Sequence, residues 1–267
     1  MSKNIIACFS GTGNSYYIAE KLAEKLGDFE VIMIPDLLND PSLLGNFEQL
    51  GIVFPTYYFV PPEMVVRFVK TVLTEYDLKN LENLFVITAV GVRPIYSLRI
   101  MEYILTKSGC APSYSSSINT INTYVPMFSI PKKEKHDEEM KKLDKEIEKT
   151  AEDLKQGKMK LVKFAPLYRL YFSIAKKMVY KNTASKYFVI NESCKGCGIC
   201  VSRCPSHCIE LKDGKAVFNK NECQNCWACY HSCPEHSFAP KKAVKGGILT
   251  WYQNDNINYH PDYSKNK

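Results

Sequence analysis

Ile5-Ile6-Ala7-Cys8-Phe9-Ser10-Gly11-Thr12-Gly13-Asn14-Ser15 decides the fold of the first half of this 267-residue chain. A short apolar run ends in a glycine- and hydroxyl-rich loop, and a helical period, Ser15–Leu26, follows directly. In an open parallel sheet this is where a phosphate is held. Backbone N–H groups and a helix N-terminus point at the anion, and hydroxyls add donors. Ser10, Thr12 and Ser15 supply those hydroxyls, while Gly11, Gly13 and Asn14 complete the loop. There is no Gly-Lys-Ser/Thr, so the loop is not a Walker A loop. Tyr16 stands where a dinucleotide fingerprint needs its third glycine, although Asp36 lies at a tolerable distance for a ribose ligand. A loop of neutral donors suits a monophosphate.

Around this loop the pattern repeats. Strands are expected over Asn4–Phe9, Glu30–Ile34, Gly51–Phe54, Leu84–Val90 and Ser113–Ile118. Helices are expected over Ser15–Leu26, Pro62–Leu73, Ile95–Ser108 and Lys132–Gln156. Strands alternating with helices imply a doubly wound parallel sheet covered on both faces. The 45% hydrophobic and 24% charged composition is globular. Gly51 to Val69, the most apolar long stretch, carries Pro55, Pro61, Pro62, Glu63 and Arg67, which excludes an integral membrane helix there. Ile5–Phe9 is too short for a secretory core, so the expected location is the cytoplasm.

The second signal is a repeat of cysteines. Cys194-x-x-Cys197-x-x-Cys200-x-x-x-Cys204-Pro205 recurs 29 residues later as Cys223-x-x-Cys226-x-x-Cys229-x-x-x-Cys233-Pro234. Nine of the eleven cysteines lie between Cys194 and Cys233. Reducing cytoplasm disfavours disulfides, so the clustering indicates metal or redox chemistry. Zinc sites use paired C-x2-C but leave a third cysteine and the Cys-Pro unexplained. Three closely spaced thiolates wrap one [4Fe-4S] cluster and the fourth reaches its neighbour. This assigns Cys194, Cys197, Cys200 and Cys233 to one cluster, and Cys223, Cys226, Cys229 and Cys204 to the other. Cys208, Cys8 and Cys110 read as packed side chains. Between the copies, Ile209–Phe218 reads as a hairpin turning at Asp213-Gly214.

The formal charge of +7 is unevenly spread. Residues 1–157 carry −4, 158–187 carry +8, 188–240 are neutral and 241–267 carry +3. The excess therefore sits in one linker and a tail, which speaks against a nucleic-acid-binding face. In the linker, Pro166 opens a helix whose Leu167, Leu170, Tyr171, Ile174 and Met178 fall on one side, a stripe expected to dock one domain on the other. After Pro240 little order is expected.

Residues 188–240 resemble a bacterial-type ferredoxin with two [4Fe-4S] clusters. Residues 1–157 resemble flavodoxins on the Ser10–Ser15 loop and the five-strand pattern. That resemblance implies strand order 2-1-3-4-5, a small α+β ferredoxin-like domain behind it, and bound FMN. It also implies aromatic walls for the flavin ring. Pro55, Thr56, Tyr57 and Tyr58 after the third strand are candidates, with Gly91 and Arg93 after the fourth. Together the halves resemble the flavodoxin–ferredoxin fusions of anaerobic prokaryotes, the EFR1-family ferredoxins. The implied function is electron transfer between clusters, FMN and redox partner proteins. The alternative is an FMN-dependent reductase of a small substrate. Partners, direction of flow and oligomeric state are not fixed by the sequence.

Overall fold

A computed structural model describes residues 3–76, 78, 81–93, 96–162, 166–180, 186, 188–219, 222–241, 251–252 and 259–264. Strands β1 (Lys3–Cys8), β2 (Phe29–Met33), β3 (Phe47–Pro55), β4 (Asn83–Val90) and β5 (Tyr114–Asn119) form one sheet. All neighbours are parallel and their order is β2-β1-β3-β4-β5. This is the flavodoxin-like order expected from the sequence. The central strands are apolar on both faces because helices cover both. On one side Ile5, Ile52, Phe54 and Val86 pack with helices α2 (Ile34–Asn39), α3 (Glu63–Thr71) and α4 (Ser97–Lys107). On the other, Ile6, Val53, Phe85 and Ile87 pack with α1 (Asn14–Leu26) and α5 (Lys133–Lys155). Cys8 and Cys110 are buried core residues, as read.

The expected strand over Glu30–Ile34 stops one residue early. Pro35 ends it, because proline at the first turn of a helix costs no hydrogen bond, and α2 begins at Ile34. Helix α6 (Tyr168–Val179) forms in the basic linker, but an adjacent side faces inward, and of the expected stripe's described side chains only Tyr171 packs on the core. Tyr168, Tyr171, Phe172, Ala175 and Val179 pack on the flavodoxin-like core, while Leu167, Leu170 and Ile174 are exposed. The Met178 side chain and residues 163–165 and 181–185 lie outside the described residues. The reversal has a physical reason. The tyrosines bury their rings and still reach carbonyls with their hydroxyls. Tyr171 donates to Tyr58 O at 2.9 Å and Tyr180 to Pro61 O at 2.7 Å. Tyr96 and Tyr171 meet at 4.8 Å between ring centroids. The leucine stripe offers no such polar ends.

The C-terminal domain is small. β6 (Phe188–Ile190) pairs antiparallel with β9 (Phe238–Pro240), and β7 (Ile209–Lys212) with β8 (Lys215–Phe218) in the expected hairpin. Short helices α7 (Ile199–Ser202) and α8 (Ala228–Ser232) follow the two cysteine loops. The 29-residue repeat is written into the backbone. Gly196, Gly198 and His207 have φ of 68°, 80° and 50°, and their counterparts Asn225, Trp227 and His236 have 55°, 62° and 48°. No helix among the described residues is long and apolar enough to cross a membrane.

Candidate functional site

A cavity of about 260 Å³ opens at the carboxyl ends of β1, β3, β4 and β5, the edge where such sheets take their ligands. It is lined by Ser10, Gly11, Thr12, Asn14 and Ser15 after β1, by Pro55 to Phe59 after β3 and by Gly91 to Arg93 after β4. Thus every flavin candidate except Gly13 reaches it. Gly13 is the residue before α1, with φ of 96°, and its N–H donates to Ser10 Oγ at 3.1 Å. No side chain caps the helix, so its first amides lack side-chain acceptors. Ser15 Oγ is buried without a hydrogen-bond partner. A lone buried hydroxyl costs about 1–3 kcal/mol, which a phosphate oxygen here would recover. Asp36, the possible ribose ligand, is not among the lining residues.

Two sets of lining residues were missed in the sequence. One is the loop after β5, from Thr120 to Tyr124 with Met127 and Phe128. The other is the second cysteine loop, which contributes Asn225, Cys226 and Trp227. The repeat arithmetic could have flagged Trp227. Where the first copy has Gly198 in a left-handed conformation, the second puts a tryptophan at φ 62°. A bulky residue there is strained, and such strain is retained where the surroundings use it. The Trp227 ring meets Tyr124 edge-on at 5.4 Å. Trp227 Nε1 donates to Asn225 Oδ1 at 3.1 Å, Asn225 Nδ2 to Tyr58 Oη at 2.8 Å, and Tyr58 Oη to Tyr124 Oη at 3.0 Å.

Tyr57 and Tyr58 therefore do different things. Tyr58 and Phe59 occupy a tight turn with φ of 49° and 62°, closed by reciprocal hydrogen bonds between Tyr57 and Val60. The turn aims Tyr58 at the second cysteine loop. Tyr57 instead turns inward, edge-on to Phe9 at 6.4 Å. Burial, with the Cys226 thiol next, pushes its phenol well above the ordinary value.

Two glycines are explained by contacts between loops. A Cβ on Gly91 would stand 2.7 Å from the Asn122 side chain, so this glycine makes room for the β5 loop. Gly91 also lines the large cavity, where a flavin edge was expected. A Cβ on Gly11 would stand 2.5 Å from the Cys226 carbonyl oxygen and 2.7 Å from Cys226 Cβ. The phosphate-type loop and a cysteine loop are thus in direct contact. Gly11→Ala forces backbone against backbone, a strain on the order of 1–3 kcal/mol. If the loop holds an FMN phosphate, flavin affinity of the full chain should fall about tenfold or more in a fluorescence titration. Unchanged affinity would disprove the contact.

The contact is fixed from several sides. Met64 N–H donates to Gln224 Oε1 at 3.0 Å, and Gln224 Nε2 reaches Glu63 Oε2 at 3.3 Å. His231 takes the Tyr252 N–H on Nδ1 at 3.0 Å and faces Thr123 O with Nε2 at 2.9 Å. That pairing makes Nε2 the protonated nitrogen. Burial lowers the His231 pKa to about 4, so the ring is neutral.

The eight repeat cysteines ring two further cavities. Cys194, Cys197, Cys200 and Cys233 line one, and Cys204, Cys223, Cys226 and Cys229 line the other. Among the described residues no three metal-binding side chains converge tightly enough to share a single ion. The thiols surround spaces instead. Backbone N–H groups already face four of the sulfurs. Ala216 donates to Cys194 Sγ at 3.4 Å, and Asn225 to Cys223, Cys208 to Cys204 and Ser237 to Cys233, each at 3.3 Å. Such donors stabilise thiolate and tune a metal–sulfur centre. Burial pushes the Cys200 and Cys226 thiols up to about 12, so binding metal must displace their protons. Cys208 is buried and also borders the second cavity. Cys197 is exposed, whereas Cys226 faces the large cavity.

Comparison with known proteins gives one family. Residues 187–210 match the 4Fe-4S binding domain family, Fer4. This supports at least one [4Fe-4S] cluster in the C-terminal domain. No curated protein matches the chain. Among solved structures it is similar to rubredoxin oxygen:oxidoreductase from Desulfovibrio gigas, at 14% identity and a TM-score of 0.39, over 59% of this chain and 37% of that one. It is similar to the Megasphaera elsdenii flavodoxin at 16% identity and a TM-score of 0.36, over 54% of this chain and 98% of that one. It is also similar to a short-chain flavodoxin associated with a PDU bacterial microcompartment, at 17% identity and a TM-score of 0.38, over 57% and 99%.

Proposed function

We propose that the chain is an electron-transfer protein of the flavodoxin–ferredoxin fusion type, exchanging electrons between two [4Fe-4S] clusters, a bound FMN and redox partner proteins. Cys194, Cys197, Cys200 and Cys233 hold the outer cluster, and Cys204, Cys223, Cys226 and Cys229 the inner one. Ser10 to Ser15 hold the FMN phosphate, with Pro55, Thr56, Tyr57, Tyr58 and Gly91 beside the ring. When bound, the clusters supply one-electron chemistry and the FMN takes one or two electrons. The observation that carries this reading is Cys226. It belongs to the second cysteine cavity and lines the large cavity against Gly11.

The chain's own residues do three things in this reading. The Met64, Gln224 and His231 hydrogen bonds hold the two sites at a fixed separation. Trp227, Tyr58 and Tyr124 wall the side where the two sites meet. Exposed Cys197 leaves the outer cluster open to a partner. The protein's contribution is thus distance, burial and access, while the cofactors carry the electrons.

The test is anaerobic purification followed by iron, sulfide and flavin determination. About eight irons and one FMN per chain are expected. A colourless, zinc-loaded protein that does not bind FMN would overturn the reading. The reductase alternative draws on the Tyr58–Tyr124 hydroxyl pair, which could donate a proton at the cavity. Flavin reoxidation dependent on an organic substrate would favour it.

A further inference from the structure

We propose that α6 docks the protein on an anionic lipid bilayer. The exposed stripe consists of Leu167, Leu170 and Ile174, which are 71%, 58% and 53% exposed. Leu170 and Ile174 fall at i and i+4 on one side of α6, and Leu167 is the left-handed residue just before its first turn. Exposed Met159 and Leu161 lie on the segment leading to it. Three exposed large aliphatic side chains on one helix and the residue before it are not the scattered apolar exposure of an ordinary surface. The helix does not need this side for its own packing. Tyr168, Tyr171, Phe172, Ala175 and Val179 already seat it on the core.

Charge identifies the occupant. Residues 158–187 contain eight Lys and Arg and no Asp or Glu. Lys176 and Lys177, on α6 itself, are exposed. Lys177 flanks the leucine stripe on its solvent side, by the 100° step of the helix. Arg169 is exposed as well, with its guanidinium over the Tyr103 ring at 5.2 Å. A second copy of this chain would set one basic segment against another, which repulsion opposes. An anionic bilayer answers both features. Aliphatic side chains enter the acyl boundary while lysines remain at the headgroups, each contributing about 1 kcal/mol near an acidic surface. The stripe projects as a convex ridge, and a fluid surface accepts a ridge without a matching groove.

Tyr171 adds a position. On the flank of the same helix it binds the Tyr58 carbonyl and stacks on Tyr96, so α6 stands beside the turn that borders the large cavity. Docking by α6 would therefore bring that cavity close to the lipid surface. The inference does not depend on which cofactors occupy the protein.

The test is sedimentation of the full-length, cofactor-loaded protein with vesicles. Phosphatidylglycerol vesicles are expected to carry it down at low salt, and pure phosphatidylcholine vesicles to leave it in solution. Leu170→Asp with Ile174→Asp, and separately Lys176→Glu with Lys177→Glu, should each reduce partitioning at least about tenfold. Both pairs are solvent-exposed, and an unchanged visible spectrum confirms that the variants fold. Absence of binding to phosphatidylglycerol would overturn the proposal. So would undiminished binding by both variant pairs, or saturable binding of the stripe to an acidic protein with none to vesicles.

Discussion

Cys226→Ser is expected to cost the protein about half its iron and also loosen its FMN, whereas Cys197→Ser should cost the same iron and leave the FMN in place. Each serine removes one of the four thiolates that a cubane needs. The iron loss alone would not distinguish the two sites. Their surroundings differ. Cys197 is exposed and far from the large cavity's lining, while Cys226 packs its carbonyl and Cβ on Gly11. Without a cluster to hold it, the loop of Asn225, Cys226 and Trp227 loses its anchor, and with it the Asn225 hydrogen bond to Tyr58 and the Trp227 bond to Asn225. Two hydrogen bonds at about 1 kcal/mol each correspond to roughly tenfold or more in FMN affinity. The measurement is paired: iron content by colorimetry and FMN dissociation by fluorescence. Equal FMN affinity in the two variants would show that the cysteine loop does not support the flavin site. Retention of all iron by Cys226→Ser would overturn the ligand assignment.

How much of this was legible beforehand depends on the kind of residue. The β1–loop–α1 unit was readable because a parallel sheet imposes runs of apolar residues, and because a phosphate loop needs glycine and hydroxyls at one place. The cysteine repeat was readable because cluster ligation fixes spacing along the chain. The contacts between these two signals were not. Nothing in the local sequence at Gly11 says that its missing Cβ accommodates Cys226, more than 200 residues away, because the same glycine is already explained by the phosphate loop. At Gly91 a close approach was readable, but its packing against Asn122 was not. The loop after β5 was overlooked because Thr120 to Tyr124 has no distinctive chemistry. Its lining role comes from where β5 ends.

The reversed face of α6 carries a different lesson. Periodicity found the helix and its apolar stripe, but the adjacent stripe of tyrosines was also apolar enough to bury. Aliphatic and aromatic faces compete for the core, and polar ends decided it. Tyr171 and Tyr180 find carbonyls in the loop after β3, so the aromatic side goes in and the leucines go out. A hydrophobicity count treats the two faces alike. The test that separates them is whether a buried hydroxyl has somewhere to donate.

Ending the chain at Pro240 is expected to destabilise both domains and release FMN. The tail was expected to have little order, yet its described residues are tightly held. Tyr252 and Tyr263 are only 3% and 2% exposed. The Tyr252 hydroxyl donates to Asn14 Oδ1 at the head of α1, and the Tyr259 hydroxyl to Ser10 O at 2.6 Å. Both acceptors belong to the phosphate-type loop. The neighbours of Tyr252 and Tyr259 in the tail bind the cysteine domain: Tyr263 N–H donates to Ser202 O at 2.7 Å, and Trp251 stacks on Tyr230 at 5.9 Å. The tail therefore ties the loop before α1 to the helices that follow both cysteine loops. Removing two fully buried tyrosines exposes the apolar surface they cover, at about 3–5 kcal/mol each when left as cavities, reduced by relaxation. For a protein of this size the melting temperature should fall by on the order of 10 °C. FMN affinity should fall at least about tenfold, because Ser10 and Asn14 lose the donors that fix them. Tyr259→Phe deletes the hydroxyl that binds Ser10 and, at 3.4 Å, the Tyr263 hydroxyl, and should cost about 1 kcal/mol, roughly fivefold in FMN affinity, with little change in melting. Calorimetry and flavin titration on the two proteins separate the effects. A truncated chain that melts and binds FMN like the full one would show that the loop is self-supporting and that the tail only covers it.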